Sequence, residues 1–152
     1  MDGTSQMEIL FSLSNFLTLP FWFLIVLFPF SGLTRRVIHS PWIVAPTAFF
    51  YVMLVLPVLP ALMTVPVSPS LDAVMELLST PRGALAAWAH LLAFDLFAGR
   101  WAYLDSRRRN ITAWLASPAL LFIALLGPLG LLLYLGLRTA YSRDGEPGAQ
   151  TH

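Results

Sequence analysis

The stretch Ala86–Arg109, AAWAHLLAFDLFAGRWAYLDSRRR, decides how the rest of the chain is read. It is a long apolar run with a histidine, an aspartate and an arginine inside it. At helical spacing it separates into three faces. His90, Phe94, Phe97 and Trp101 recur at i, i+4, i+7, i+11 and make an aromatic face with one imidazole. Trp88, Leu92, Asp95 and Gly99 put a carboxylate beside a glycine. Ala86, Ala89, Ala93 and Arg100 form a small-residue face that ends in a guanidinium. Small residues let helices approach closely in lipid. The other long apolar runs hold no charged residue and no histidine, so any chemistry is expected around this one helix.

Outward from it, the chain reads as a membrane protein. Of its 152 residues, 57% are hydrophobic and 11% charged, where a soluble domain carries about 25% charged residues. The mean hydropathy is +0.72. A bilayer crossing needs roughly 20 apolar residues. Ile9–Thr34, Pro41–Ser70 and Asn110–Leu137 are uncharged runs of that order or longer. With the opening stretch they predict an all-α, polytopic four-transmembrane-helix bundle. It forms a single domain over 1–141, with spans at about 9–33, 42–65, 83–105 and 111–137. A polar tail, 142–152, follows and is expected to be disordered.

Local signals refine this. Ser40-Pro41 and Thr80-Pro81 read as helix caps followed by Pro at the first helical position. Pro46, Pro57 and Pro60 predict either a bent or unwound second span or a kink at each of its ends. Ser68-Pro69, with Leu71, Val74, Met75 and Leu78 at i, i+3, i+4, i+7, predicts a short amphipathic helix in the interface between spans 2 and 3. Asn15 is read as an interhelical hydrogen-bonding group. The fourth span is interrupted at Gly127-Pro128-Leu129-Gly130.

The chain has no cysteine, which excludes disulfides and thiolate chemistry. No metal site and no cofactor are expected. Every basic residue is arginine, and Arg35, Arg36, Arg107, Arg108 and Arg109 fall in the two short loops. The positive-inside rule puts both short loops in the cytoplasm and both termini on the opposite side. The Arg triplet is a topology determinant, so no nucleic-acid partner is expected.

Counting along the spans sets Asp95, Tyr51 and Gly127-Pro128 at one depth. A charged side chain at mid-span costs roughly 2.5–3.5 kcal/mol, so Asp95 must be protonated or partnered. Arg100 lies about 7–8 Å inward of that midpoint at 1.5 Å per residue and reaches the interface by snorkelling. Pro128 frees the carbonyl of Ala124, which a protonated Asp95 would meet.

These same residues carry a resemblance. His90, Asp95 and Arg100 at H-x4-D-x4-R spacing, with Trp101, Asp105 and Gly127-Pro128-x-Gly130, resemble the abscisic-acid-deficient-four-like family over roughly Leu10 to Arg138. These are small four-span membrane proteins named for a plant member needed for neoxanthin formation. The resemblance implies carotenoid or xanthophyll metabolism, as an epoxy-carotenoid isomerase or an essential subunit of one. Opening an allylic epoxide to an allene needs an acid at the oxygen and a base at the neighbouring vinylic C–H. On that reading Asp95 is the acid, His90 the base, and Arg100 holds the alkoxide. Tyr51, Phe94, Phe97, Trp101, Gly127 and Pro128 line the substrate. The alternative is a non-catalytic module that binds a polyene, quinone or lipid, or that assembles with itself or a partner membrane protein. No transit peptide is evident, and a bacterial inner membrane is expected.

Overall fold

The computed structural model describes residues 3–64 and 69–141, and every regular element among them is a helix. The expected cap at Ser68 and the polar tail 142–152 lie outside the described residues.

Helix α1 (Gly3–Leu27) runs through Pro20 and ends short of Leu33, the expected limit. Pro29 has no N–H to continue the ladder. Thr34 closes the turn that follows by donating from Oγ1 to the Phe28 carbonyl at 2.7 Å. Ser31 then caps α2 (Gly32–His39), accepting from the Leu33 amide at 3.2 Å. The second apolar run starts at the Ser40 cap, as its sequence signals. It passes through a 3-10 turn (Pro41–Val44), α3 (Ala45–Val55), another 3-10 turn (Leu56–Val58) and α4 (Leu59–Leu62). The run stays helical but tightens where Pro57 withholds its donor.

Helix α5 (Leu71–Ser79) is capped by Ser70 and buries none of its residues. Leu71, Val74, Met75, Leu77 and Leu78 are all exposed, as suits an apolar face lying in an interface. Thr80 caps α6 (Pro81–Arg108), accepting from the Gly83 amide at 3.0 Å. The 28 residues of α6 span about 42 Å at 1.5 Å per residue. Helices α1, α3, α5, α7 and α8 all pack against it. Ala89 and Ala93, from its small-residue face, are buried in those contacts.

The largest departure from expectation is in the last apolar run. Residues 111–137 do not form one span. They form α7 (Ala113–Leu126) and α8 (Pro128–Ala140), which fold back on each other as a helical hairpin. At 14 and 13 residues, each arm is about 20 Å long, well short of a hydrocarbon core about 30 Å thick. The reversal has two local causes. Gly127 adopts φ 35° and ψ −92°, a conformation that side-chain-bearing residues rarely adopt. Pro128 cannot donate and so starts a new helix instead of extending the old one. Gly130 then permits the close approach, because a Cβ there would lie 2.6 Å from Ile123 Cα and against the Ile123 amide nitrogen.

The ends of the hairpin confirm the direction of the chain. Arg138, at the end of α8, donates from Nε to Asp105 Oδ2 at 2.9 Å. Arg109 donates to the same oxygen at 2.9 Å and from Nη1 to the Tyr141 carbonyl at 3.4 Å. The end of α8 therefore returns to the end of α6. A single span over 111–137 would have ended opposite the loop after α6; instead the end of α8 lies beside that loop. At that same end Tyr103 donates to the Pro29 carbonyl at 2.8 Å. Met7 and Leu10 pack against Leu85 and Ala89 near the other end.

Two stretches, Ser5–Leu27 and Pro41–Val58, are long and apolar enough to cross a membrane. A core helix of a soluble protein would be mostly buried, but here only 22% and 17% of these windows are.

Candidate functional site at the hairpin tip

The hairpin tip rests on Asp95. A Cβ on Gly127 would collide with Asp95 Oδ1 and would sit 3.2 Å from its Cγ. The carboxylate has no hydrogen-bond or ion-pair partner among the described residues. The expected bond to the freed carbonyl of Ala124 is therefore not made, although the side chain is beside the break.

Asp95 opens on two grooves. One, of about 540 Å³ between α6 and α8, is lined by Phe94, Asp95, Phe97, Trp101, Gly127, Pro128 and three aliphatic side chains. The other, of about 510 Å³ between α1, α6 and α7, adds Asn15, Thr18, Trp22 and Trp88. In that second groove Asn15 is held in place: Trp88 Nε1 donates to its Oδ1 at 3.1 Å, and its Nδ2 donates to the Phe11 carbonyl at 2.9 Å. The interhelical hydrogen bond read from the sequence is this one.

The structure thus brings Phe94, Asp95, Phe97, Trp101, Gly127 and Pro128 into one groove. It leaves the other sequence candidates elsewhere. His90 lies in a third groove, its ring 5.4 Å from Tyr51 and 4.7 Å from Phe94 between centroids. Arg100 is engaged with backbone. Its Nε donates to the carbonyls of Ile38 and Ser40 at 2.9 and 3.1 Å, and its Nη2 to that of His39 at 2.7 Å. The Ile38 and His39 carbonyls are among those that α2 leaves unsatisfied at its C-terminus, and Ser40 is its C-cap. The guanidinium therefore fixes α2 to α6 and faces neither Asp95 nor His90.

The wall of the Asp95 groove nearest the C-terminal end of α6 rests on a polar cluster that the sequence reading did not find. Asp105 Oδ2 accepts from Tyr134 Oη at 2.8 Å as well as from Arg109 and Arg138. Trp101 packs edge-on to Tyr134, centroids 5.6 Å apart, with the Arg138 guanidinium 5.7 Å from its ring. A signal was present. From Asp95 to Asp105 and from Pro128 to Arg138 are equal separations in sequence, which pairs these residues only if α6 and α8 run parallel.

The sequence matches the ABA DEFICIENT 4-like family over residues 9–134. The chain belongs to this family. The match takes in the hairpin up to Tyr134, so the fold-back lies within the family's shared region. No curated protein and no solved structure matches the chain.

Proposed function

We propose that this member of the ABA DEFICIENT 4-like family is a multi-pass membrane protein of carotenoid or xanthophyll metabolism. It holds a long polyene in the groove between α6 and α8 and isomerises an epoxide end group, or is an essential subunit of the enzyme that does so. The observation that carries this reading is the unpartnered carboxyl of Asp95, set among Phe94, Phe97 and Trp101. Aromatic rings suit the faces of a polyene, and a lone carboxyl supplies the one polar group that the reaction needs.

The membrane placement has three crossings, α1, the α3–α4 run and α6, with the α7–α8 hairpin entering to mid-depth and returning. Arg35, Arg36, Arg107, Arg108, Arg109 and Arg138 then share one side, and Arg82 lies on the other. The positive-inside rule makes the arginine-rich side cytoplasmic, in a bacterial inner membrane. The N-terminus faces away from the cytoplasm, and α8 ends in it. Non-regular backbone at the tip is tolerated at that depth because it is packed on protein.

Because His90 and Arg100 stand apart from Asp95, this reading gives both proton transfers to one carboxyl. The protonated oxygen of Asp95 gives its proton to the epoxide oxygen as the C–O bond breaks. The proton on the neighbouring vinylic carbon returns to the carboxylate as the allene forms. Atoms and charge balance, as an isomerisation requires. Expression in a host that accumulates an epoxy-carotenoid, with chromatography of its pigments, tests this. Wild type yields the allenic isomer. Asp95→Asn, expressed and melting as wild type does, yields none. Conversion by Asp95→Asn at the wild-type rate would refute the assignment.

A second reading, non-catalytic polyene binding or assembly with a catalytic partner, is favoured by the capping role of Arg100. Pigment that co-purifies in mild detergent, from a host in which no isomer forms, decides for it.

A further inference from the structure

We infer that the groove between α3, α5 and α6 binds a single-chain amphiphile whose anionic headgroup sits on Arg82. The inference rests on the membrane placement proposed above and is independent of carotenoid chemistry. The groove has a volume of about 450 Å³ and is walled by Leu54, Val58, Leu78 and Ala87, a size that suits a small ligand.

Its polar groups are arranged for an amphiphile. Arg82 carries the one formal charge on the lining and stands where α6 begins, at the level of the interfacial helix α5. The guanidinium is exposed and has no hydrogen-bond or ion-pair partner among the described residues. Asp72 and Glu76, the carboxylates of α5, form no ion pair with it. A guanidinium at an interface binds carboxylate or phosphate through paired N–H donors.

The length fits one leaflet. Arg82 and His90 are eight residues apart on α6, about 12 Å at 1.5 Å per residue. Half of a hydrocarbon core is roughly 15 Å. A chain with its head on Arg82 would thus run beside Leu78 and Val58 and end on the Tyr51–His90 ring pair. It would also cover His90, an exposed imidazole with ring contacts alone, whose exposure to lipid is otherwise unfavourable. Helix α5 contributes Leu77 and Leu78 to the groove, which gives this otherwise unburied helix a role as its outer wall.

Native mass spectrometry of the full chain released from a neutral detergent tests the inference. The probes are myristic acid, its methyl ester and a myristoyl lysophosphatidic acid. One acid or lysophosphatidic acid should be retained per chain, with the ester at least tenfold weaker. The tighter of the two anions identifies carboxylate or phosphate as the natural head. Arg82→Gln, a change at an exposed side chain, should weaken the anionic adduct at least tenfold and leave the ester unchanged. Ala87→Trp, which fills the groove, should remove all three. Equal retention of acid and ester, or adducts unchanged in both variants, would overturn the site. Alkaline carbonate washing separates this failure from that of its premise. A chain washed out of membranes overturns the placement itself. A chain retained there that holds no anionic amphiphile overturns this inference alone.

Discussion

Gly130 and Gly136 lie in the same helix and should respond oppositely to alanine. In a straight membrane span both substitutions would be neutral or favourable, since alanine is the better helix former by about 1 kcal/mol. In the hairpin only Gly136 has open space, with nothing within 4 Å of an added Cβ. At Gly130 the added Cβ meets the backbone of Phe122 and Ile123, with Ile123 Cα at 2.6 Å, where ordinary contact begins at 3.4 Å. The neighbour is main chain and cannot rotate away, and the Ile123 nitrogen and Phe122 carbonyl carbon are closer still, so the two arms must move apart. Overpacking of this kind costs about 1–3 kcal/mol, and a backbone neighbour puts it at the upper end. Subtracting the propensity gain leaves Gly130→Ala about 2 kcal/mol less stable, while Gly136→Ala gains up to about 1 kcal/mol. For a chain of this size that is a fall of roughly 4–8 °C in melting temperature against a rise of about 2–4 °C. Thermal melting in mild detergent, followed by intrinsic fluorescence and size-exclusion recovery, measures both. A Gly130→Ala protein that melts at or above wild type would remove the physical basis for the hairpin.

Other consequences are equally direct. Single cysteines can be introduced into this cysteine-free chain, and an impermeant maleimide should label Thr139→Cys and Arg108→Cys from one side of the membrane and Ser79→Cys from the other. Labelling of Thr139→Cys together with Ser79→Cys would restore the four-crossing topology. Asp105→Ala leaves the fully buried Tyr134 hydroxyl and two arginines without their shared acceptor and should cost about 2–3 kcal/mol, whereas Tyr134→Phe should cost about 1 kcal/mol. Equal melting temperatures for the two variants would show that the shared oxygen does not latch the hairpin. Arg100→Gln should destabilise by about 1.5–3 kcal/mol through the orphaned carbonyls of α2, with partial recovery in Arg100→Lys. Full stability combined with lost pigment conversion in Arg100→Gln would instead give Arg100 a role in the reaction.

Much of the architecture was legible in local sequence because local physics fixes it. The caps at Ser40 and Thr80 are side-chain oxygens two and three residues from the amides they bind, so spacing alone announces them. The faces of α6 follow from the helical period, and their uniform parts stay together on packing: Phe94, Phe97 and Trp101 line one groove, and Ala89 and Ala93 are buried together. Asp95 beside Gly127-Pro128 could be reached by counting depth, since one rise per residue applies to every helix.

The hairpin was not legible in the same way, because a run of apolar residues looks alike whether it crosses or turns back. The sequence by itself determined that the helix ladder breaks at Pro128 and that Gly127 can adopt a positive φ. It did not determine the angle at which the chain leaves that break. The tertiary contacts decided it: Gly130 seated on the Ile123 backbone, and Asp105 drawing Arg138 and Tyr134 to the end of α6. The same long-range contacts took Arg100 from the groove to α2 and placed His90 against Tyr51, away from Asp95. Residue spacing states which face of a helix a side chain occupies, but only the packing of other helices states what that face meets.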